Sequence, residues 1–287
     1  MKNTPLPLPG PLVSVDWLHP HLGHPALRLF DATIPKVGTP VLAPGSPIPS
    51  IPSAHFLDLK GDFADPAAAL PNTFPSVDQL VRAVGALGIR AEQTLVIYDR
   101  HGIYSSPRAR WILRTLGHER VAVLDGGLPA WLAAGYATEP LRNDRPERVE
   151  ATWPVLRGAP LVTAADLRQQ MAVAHPATPI LDARSRDRFE ARVPEPRPGL
   201  RGGHIPGSQS LPYAEVLEGG KLKDRESLRR AFADRLGERT SMILSCGSGI
   251  TACVLGLAAE TAGYPDYQIY DGSWTEWATD PNNPIET

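Results

Sequence analysis

The sequence predicts an α/β fold made of two tandem copies of one unit, each a mainly parallel sheet flanked by helices. Short apolar runs typical of buried strands alternate with segments of helical apolar spacing. The second half also repeats the first. Two segments, 115–117 and 125–131, recur 146 residues later at 261–263 and 271–277. The segment 95–99 matches 242–246 at a spacing of 147 residues, and the segment 29–32 matches 180–183 at a spacing of 151 residues. A duplicated unit explains why the spacing holds through several separate segments.

The individual elements follow from the same patterns. Strand-like apolar runs include residues 121–124 in the first copy and residues 242–244 and 267–270 in the second. We predict helices at residues 77–87, 106–116, 164–171, 228–236 and 250–262. The polar, proline-bearing stretch 139–160 predicts a linker at residues 141–160, between a first domain (1–140) and a second (161–287). The proline-rich residues 40–52 are predicted to form a surface loop.

Bulk composition argues against several classes of function. The formal net charge of -2 gives no electrostatic basis for binding nucleic acid, and no apolar run of about 18 residues exists to span a membrane. The first residues lack the continuous apolar core of a secretion signal, so we expect a cytoplasmic protein. Cys246 and Cys253 are poorly spaced for a disulfide. No cysteine–histidine cluster has metal-ligand spacing, so we expect neither a metal nor another cofactor.

The most informative stretch is residues 245–252, with the sequence SCGSGITA. Cys246 closes an apolar run and precedes a glycine-punctuated loop, which predicts a strand, a tight loop and a helix N-terminus with a thiol at the hinge. Inward-pointing N–H groups and the helix dipole would stabilise a thiolate there. Cys246 is therefore a candidate nucleophile. Cys253 lies among apolar neighbours inside the predicted helix and is expected to be a buried structural residue.

Two other interpretations use the same loop. Residues 247–252 fit the dinucleotide-binding pattern G-x-G-x-x-A, and Asp271 follows a strand at about the expected distance. Against this, only 16 residues follow Asp271, and the equivalent loop of the first copy, residues 100–103, lacks the pattern. A cysteine phosphatase would need an arginine six positions after the cysteine, where this chain has Ala252.

The duplicated halves, the loop CGSGITA and the segment YDGSWTEW at residues 270–277 resemble the tandem-domain rhodanese family, and most narrowly its mercaptopyruvate sulfurtransferases. The resemblance extends over nearly the whole chain and is strongest over residues 180–277. It implies that the second domain carries the nucleophile Cys246 and that the first domain is catalytically silent. Asp99, at the position aligned with Cys246, agrees with a silent first copy.

The resemblance also implies a set of site residues. Members that use thiosulfate carry basic residues just after the cysteine, whereas the mercaptopyruvate group has Gly-Ser-Gly, as this chain does at residues 247–249. Two arginines of that group grip the carboxylate and keto oxygen of the substrate, a role that suits the planar guanidinium fork. The implied catalytic residues are Cys246 and Ser248, and the implied substrate-binding residues are Arg188, Arg197, Gly247, Gly249, Ile250 and Thr251.

In one respect the chain departs from the family pattern. Relatives are thought to relay a proton from the loop serine through a histidine and an aspartate of the first domain. The aligned positions here are Lys60 and Ala68, and residues 58–71 contain no histidine. Ser248 would then act alone, with water or with another acid. His204, in the turn-like segment 203–207, is expected to have a structural role.

The function implied by the resemblance is sulfur transfer. The Cys246 thiolate would take the sulfur of 3-mercaptopyruvate, release pyruvate and hold a persulfide stabilised by N–H groups of residues 247–251. A thiol such as thioredoxin or a small thiol, or cyanide, would then remove the outer sulfur. Two alternatives stay open. Thiosulfate could be the donor, or the chain could be a non-enzymatic persulfide carrier or redox-sensing module, which would not need paired arginines.

Overall fold

The computed structural model describes residues 5–36, 48–142, 146–150, 161–172 and 178–287. The chain forms two compact units, and each contains its own five-stranded sheet. The first unit comprises Met1–Pro66, Phe74–Ala159 and Gly219–Lys221, and the second comprises Ala67–Thr73, Pro160–Glu218 and Leu222–Thr287. A short segment from the first half of the chain, Ala67–Thr73, therefore belongs to the second unit.

The first unit is built around a wholly parallel sheet. Its elements in chain order are β1 (Leu12–Val13), α1 (Val15–His21), β2 (Leu27–Asp31), β3 (Pro49–Ser50), β4 (His55–Phe56), α2 (Val77–Ala86), β5 (Thr94–Tyr98), α3 (Ser106–Thr115), β6 (Val121–Leu124), α4 (Gly127–Ala133) and β7 (Glu139–Pro140). The spatial order of the sheet is β1-β6-β5-β2-β4. Every residue of the central strand β5 is buried, as expected for a parallel sheet covered on both faces.

The second unit contains a second parallel sheet. Its elements are β8 (Leu161–Val162), α5 (Ala164–Met171), β9 (Ile180–Asp182), α6 (Arg186–Phe189), β10 (Gln209–Ser210), a 3₁₀ turn (Tyr213–Val216), β11 (Leu217–Glu218), β12 (Lys221–Leu222), α7 (Arg225–Leu236), β13 (Ser241–Ser245), α8 (Ala252–Ala262), β14 (Asp266–Tyr270) and α9 (Ser273–Thr279). The sheet order is β10-β9-β13-β14-β8.

The two sheets have the same arrangement. Read from one edge, β8, β14, β13, β9 and β10 stand in the order of β1, β6, β5, β2 and β4. The duplication predicted from the sequence spacing is therefore confirmed in the fold. Each core holds fully buried tryptophans, Trp131 in the first unit and Trp274 and Trp277 in the second. These large side chains supply much of the apolar area that the cores bury.

Helix starts agree with the prediction to within one turn. The helices α2, α3 and α5 begin where the apolar spacing places them, and the Thr163–Asp166 capping box fixes the first residue of α5. The helix α7 begins at Arg225, three residues before the predicted start, because the Asp224 carboxylate accepts a hydrogen bond from Ser227 N–H (3.0 Å). The helix α8 begins at Ala252 rather than at residue 250.

Two predictions of irregular chain are wrong in part. Pro49–Ser50, inside the predicted loop 40–52, pairs antiparallel with Glu139–Pro140, at the start of the proline-bearing stretch 139–160. Prolines opposite each other are tolerated because a two-stranded ladder leaves one side of each strand without a sheet partner. Val149 N–H donates to the Gly85 carbonyl (3.0 Å), so residues near 149 also pack on the first unit. Residues 40–47, 143–145 and 151–160 of these predictions lie outside the described residues.

Candidate active site

The loop between β13 and α8 places Cys246 at the carboxyl end of a central strand of the second sheet. The strand β13 is paired on both sides and ends at Ser245, so Cys246 is the first residue of the loop. Gly249, with a φ of +79°, provides the left-handed turn that leads the chain back toward α8. Cys246 is buried, with 1% of its surface exposed. The predicted strand, tight loop and helix are all present around the thiol.

Two polar groups lie against the Cys246 sulfur. The N–H of Gly249 donates to Sγ over 3.1 Å, and the hydroxyl oxygen of Ser273 lies 3.7 Å from Sγ. The N-terminus of α8, an 11-residue helix, follows the loop and carries partial positive charge. Both the amide donor and the helix end therefore direct partial positive charge toward the sulfur.

Ile250 and Thr251, expected at the substrate site, lie directly before the helix α8 and accept hydrogen bonds from its first turn. The Ile250 carbonyl accepts from Cys253 N–H (3.1 Å), and the Thr251 carbonyl accepts from Val254 N–H (3.1 Å). Cys253 is buried, in line with its predicted structural role, and its thiol donates to the Gly249 carbonyl (3.5 Å). The Gly249 peptide is therefore linked to both cysteines, through its N–H to one and through its carbonyl to the other.

The start of α9 holds the loop from the side opposite α8. Trp274 N–H donates to the Cys246 carbonyl over 3.0 Å. Thr275 donates its N–H (3.0 Å) and its hydroxyl (2.6 Å) to the Gly247 carbonyl. Two successive carbonyls of the loop are thereby fixed. Ser273 and Thr275 were missed as site residues, although both belong to the repeated segment 270–277 that the sequence comparison singled out.

Arg188 lies directly against the loop. Its side chain extends from α6, and a Cβ atom at position 247 would lie 3.1 Å from Nη2 of Arg188, so a glycine at 247 allows this close approach. Arg188 forms an ion pair with Glu195 through Nη2 (2.5 Å) and Nε (3.2 Å). Its side chain is 24% exposed, whereas that of Glu195 is only 2% exposed. Part of the Arg188 side chain thus remains exposed beside the loop.

Arg184 completes a buried network of charges behind Arg188. Its Nη1 donates to Glu195 (2.9 Å), its Nη2 donates to Asp182 (2.7 Å), and its guanidinium stacks over the Trp274 ring at 4.3 Å. Burial by itself lowers the pKa of Arg184, but the carboxylates of Asp182 and Glu195 outweigh that effect and raise the pKa above its usual value. Glu195 therefore bridges two cations. The sequence analysis assigned no role to Arg184 or Glu195.

Arg197 differs from Arg188 in having no carboxylate partner. Its Nη1 donates to the Thr275 hydroxyl (2.9 Å) and its Nη2 donates to the Ser248 hydroxyl (3.2 Å). Within the described ranges, no Asp or Glu oxygen lies within ion-pairing distance of this guanidinium. The charge of Arg197 is therefore uncompensated and exposed next to the loop.

Ser248 receives a second donor from a distant part of the sequence. Asn72 Nδ2 donates to the Ser248 hydroxyl (3.2 Å) and to the Ser248 carbonyl (3.0 Å). Asn72 belongs to the second unit by its contacts and has a φ of +59°, a conformation that asparagine adopts more readily than most residues. It lies one residue beyond the stretch 58–71 in which the family's relay partners were sought. Its distance of 176 residues from Ser248 gave sequence reasoning no signal to find it.

His204 has the structural contacts expected of it. Its ring stacks on Phe189 with centroids 3.8 Å apart, and Nδ1 lies 2.9 Å from the Phe189 carbonyl oxygen. A carbonyl only accepts, so Nδ1 carries the proton in this arrangement. The His204 N–H and carbonyl also pair with Glu286 near the end of the chain. His204 thus anchors α6, which carries Arg188.

Known proteins match both halves of the chain. Residues 14–134 and residues 163–280 each match the rhodanese-like domain family. The chain belongs to the rhodanese family. Within the described ranges of this tandem rhodanese, no group of three His, Cys, Asp or Glu side chains is arranged to hold a metal ion. Among the helices described, none has the length and apolarity needed to cross a bilayer.

Relatives of this rhodanese align along nearly its whole length. Thiosulfate/3-mercaptopyruvate sulfurtransferase 1, mitochondrial, of Arabidopsis thaliana is 36% identical, and the alignment covers 96% of this chain and 78% of that protein. The 3-mercaptopyruvate sulfurtransferase of Escherichia coli (strain K12) is 35% identical, with 96% of this chain and 97% of that protein covered. The crystal structure of SseA from Escherichia coli, a 3-mercaptopyruvate sulfotransferase, has a TM-score of 0.80 at 32% identity and covers 92% of this chain and 99% of that chain.

The equivalent loop of the first rhodanese domain surrounds a carboxylate instead of a thiol. Oδ2 of Asp99 accepts from the N–H groups of Tyr104 (2.9 Å), Ser105 (3.0 Å) and Ser106 (3.0 Å) and from the Ser106 hydroxyl (2.7 Å). Asp99 is fully buried. The loop that cradles an anion is therefore present in both domains, but in the first domain the chain's own carboxylate fills it.

Proposed function

We propose that this rhodanese takes the sulfur of 3-mercaptopyruvate onto Cys246, releases pyruvate and passes the sulfur to a thiol or to cyanide. The observation that carries the proposal is the uncompensated guanidinium of Arg197 beside a loop, residues 247–251, that has no charged side chain of its own. An anionic donor needs one cation there, and Arg197 provides it. The relatives named above as 3-mercaptopyruvate sulfurtransferases support the same donor.

The two arginines divide the recognition of the donor. Arg197 has a net charge to offer and pairs with the carboxylate. Arg188 is already neutralised by Glu195, so its remaining N–H donors suit the uncharged keto oxygen. Thiosulfate carries two negative charges on one small ion and would find a single uncompensated cation. The same site therefore favours mercaptopyruvate, and thiosulfate, which appears in the name of the Arabidopsis relative, is the slower donor.

In the chemical step the Cys246 thiolate attacks the donor's sulfur. A sulfur–sulfur bond forms, the carbon–sulfur bond breaks, and its electron pair stays with the carbon fragment as the enolate of pyruvate. The donor's thiol proton remains on the outer sulfur, and the enolate gains one proton at carbon to become pyruvate. Gly249 N–H stabilises the negative charge that the Cys246 sulfur carries before attack and regains when the acceptor removes the outer sulfur.

Ser248 is placed to donate the proton that the enolate needs. Its oxygen accepts hydrogen bonds from both Asn72 and Arg197, so its own O–H is directed away from them and free to donate. The Asn72 amide has no acidic proton to pass on. We infer that Asn72 orients Ser248, in place of the histidine found in relatives, and that water restores the Ser248 proton.

The first domain takes no chemical part in this proposal. A carboxylate is a poor acceptor of sulfur, and the Asp99 carboxylate is held by five donors of its own loop. The acceptor is a thiol such as thioredoxin or a small thiol, and the reaction takes place in the cytoplasm. The Arabidopsis relative is named as mitochondrial, so fractionation of the source cells is the measurement that locates this protein.

Mass spectrometry of the intact protein after incubation with 3-mercaptopyruvate tests the proposal. We expect a gain of one sulfur atom on the peptide containing Cys246, pyruvate in equal amount, and loss of the added mass when cyanide is supplied. Cys246→Ser should gain no sulfur, and Cys253→Ala should behave as the parent. Repeated turnover separates an enzyme from a carrier, since a carrier would stop after one sulfur. Sulfur on another residue, or none, would refute the assignment.

A further inference from the structure

Ser273 occupies a backbone conformation that normally belongs to glycine. Its φ is +50°, and the residue at the same place in the first domain, 146 positions earlier, is Gly127 with a φ of +54°. A non-glycine residue in the left-handed region is strained. Both domains use this turn in the same way, because Leu128 N–H donates to the Asp99 carbonyl (3.1 Å) just as Trp274 N–H donates to that of Cys246 (3.0 Å). Glycine serves the turn in one domain, so the serine in the other needs a separate reason.

The space around the turn differs between the two domains. A Cβ atom at Gly127 would collide with the carbonyl oxygens of Asp99 and Gly102. The second domain leaves room for the Ser273 side chain, and that room lies against the nucleophile. The domain with Cys246 therefore has a serine at this turn, and the domain with Asp99 has a glycine.

The Ser273 hydroxyl contacts the nucleophile and the end of the neighbouring strand β14. It is fully buried, donates to the Tyr270 carbonyl (2.7 Å), accepts from Cys246 N–H (3.2 Å) and lies 3.7 Å from the sulfur. Together with the bond from Trp274, this fixes Cys246 at both its N–H and its carbonyl. A hydroxyl has one proton and rotates at little cost, so it can turn from the Tyr270 carbonyl to the sulfur when the sulfur becomes an anion.

We infer that Ser273 is a further catalytic residue, which locks the backbone of Cys246 and donates a hydrogen bond to its sulfur in the thiolate form. The inference rests on the proposed function only for its turnover readout. The hydroxyl and the Gly249 N–H then bind the same charge from two directions. No atom is gained or lost in this step, since the proton stays on the serine throughout.

Two variants separate this role from a structural one. Ser273→Ala and Ser273→Gly both remove the hydroxyl, but only Ser273→Gly also removes the Cβ from the left-handed conformation. We therefore expect Ser273→Gly to melt at a higher temperature than Ser273→Ala. A hydrogen bond to a charged group is typically worth enough to change a rate by about ten- to a hundredfold. We expect iodoacetamide to alkylate Cys246 more slowly by about that factor in both variants, with the rate read from the Cys246 peptide.

Turnover provides the second readout. With 3-mercaptopyruvate, kcat should fall in both variants while KM stays near the parent value, because Arg188 and Arg197 are untouched. Thr261→Ala is the matched control, since its hydroxyl bonds the Leu257 carbonyl (2.8 Å) inside α8. Rates that follow the melting temperatures, or alkylation at the parent rate in both variants, would overturn the inference. Alkylation needs no donor, so it remains decisive even if the parent protein proves inactive with mercaptopyruvate.

Discussion

Replacing Arg197 by alanine removes the one uncompensated cation described beside the loop. Among the residues that the structure describes, its guanidinium bonds the hydroxyls of Thr275 and Ser248 alone, and its side chain reaches solvent, so we expect little loss of stability. The donor carboxylate loses a two-pronged, charge-assisted contact. At about 1.5 kcal/mol for each bond, the low end for charged groups because Arg197 is exposed, the loss is about 3 kcal/mol. This corresponds to about a hundredfold decrease in kcat/KM for 3-mercaptopyruvate.

The assay compares two donors with cyanide as the common acceptor. Mercaptopyruvate use should fall by the full factor, and thiosulfate use should fall less, because thiosulfate lacks the planar carboxylate that a guanidinium holds through two parallel bonds. Arg192→Ala is the matched control: it removes an exposed arginine of the same segment that already pairs with Asp187 (3.4 Å). An equal loss on both donors, or an equal loss in the control variant, would refute the assignment of Arg197 to the carboxylate.

Three other changes test separate parts of the molecule. Asn72→Ala takes one donor from Ser248 and should lower kcat about fivefold with KM little changed. Asn72→Gly, whose backbone suits the φ of +59° at this position, should have the same effect. An unchanged kcat in both variants would show that Asn72 has no role in turnover. Gly247→Ala places a methyl group against Arg188 and should weaken mercaptopyruvate use about tenfold, measured as kcat/KM, while Gly10→Ala, where a Cβ meets nothing within 4 Å, should not. Burial lowers the pKa of His118 to about 4 in the folded chain, whereas the ordinary pKa of histidine is 6.5. Between these two pH values the unfolded chain therefore binds a proton that the folded chain does not bind. Stability should therefore fall as the pH drops through this range, by up to about 3 kcal/mol from this group, and thermal melts should show a weaker dependence in His118→Gln.

The sequence was a good guide wherever a signal was local or repeated. The apolar spacing placed the start of α2, α3 and α5, and the nearly constant offset between the halves predicted two copies of one α/β unit, which the matching strand orders confirm. It also led to Cys246 and to the arginines that flank the loop. These features depend on neighbouring residues or on a comparison of the chain with itself, and both can be read without coordinates.

What could not be predicted depends on contacts between distant residues. Asn72 reaches Ser248 across 176 positions, and no pattern near residue 72 indicates this contact. The short ladder of Pro49–Ser50 with Glu139–Pro140 was hidden because proline counts as a sign of irregular chain. Charge compensation was also invisible: Arg188 and Arg197 look alike in the sequence, and only the position of Glu195 distinguishes them.

The filled loop of the first domain has a consequence for how this protein can change. Exchanging Asp99 for a cysteine would supply a thiol there, but Gly127 admits no side chain beside it, because a Cβ would strike the backbone oxygens of Asp99 and Gly102. A first-domain loop with both a thiol and a neighbouring hydroxyl would need at least two substitutions together with a shift of the main chain. A single mutation at residue 99 would supply the thiol without the hydroxyl that Ser273 provides in the second domain, because sterics at Gly127 exclude it.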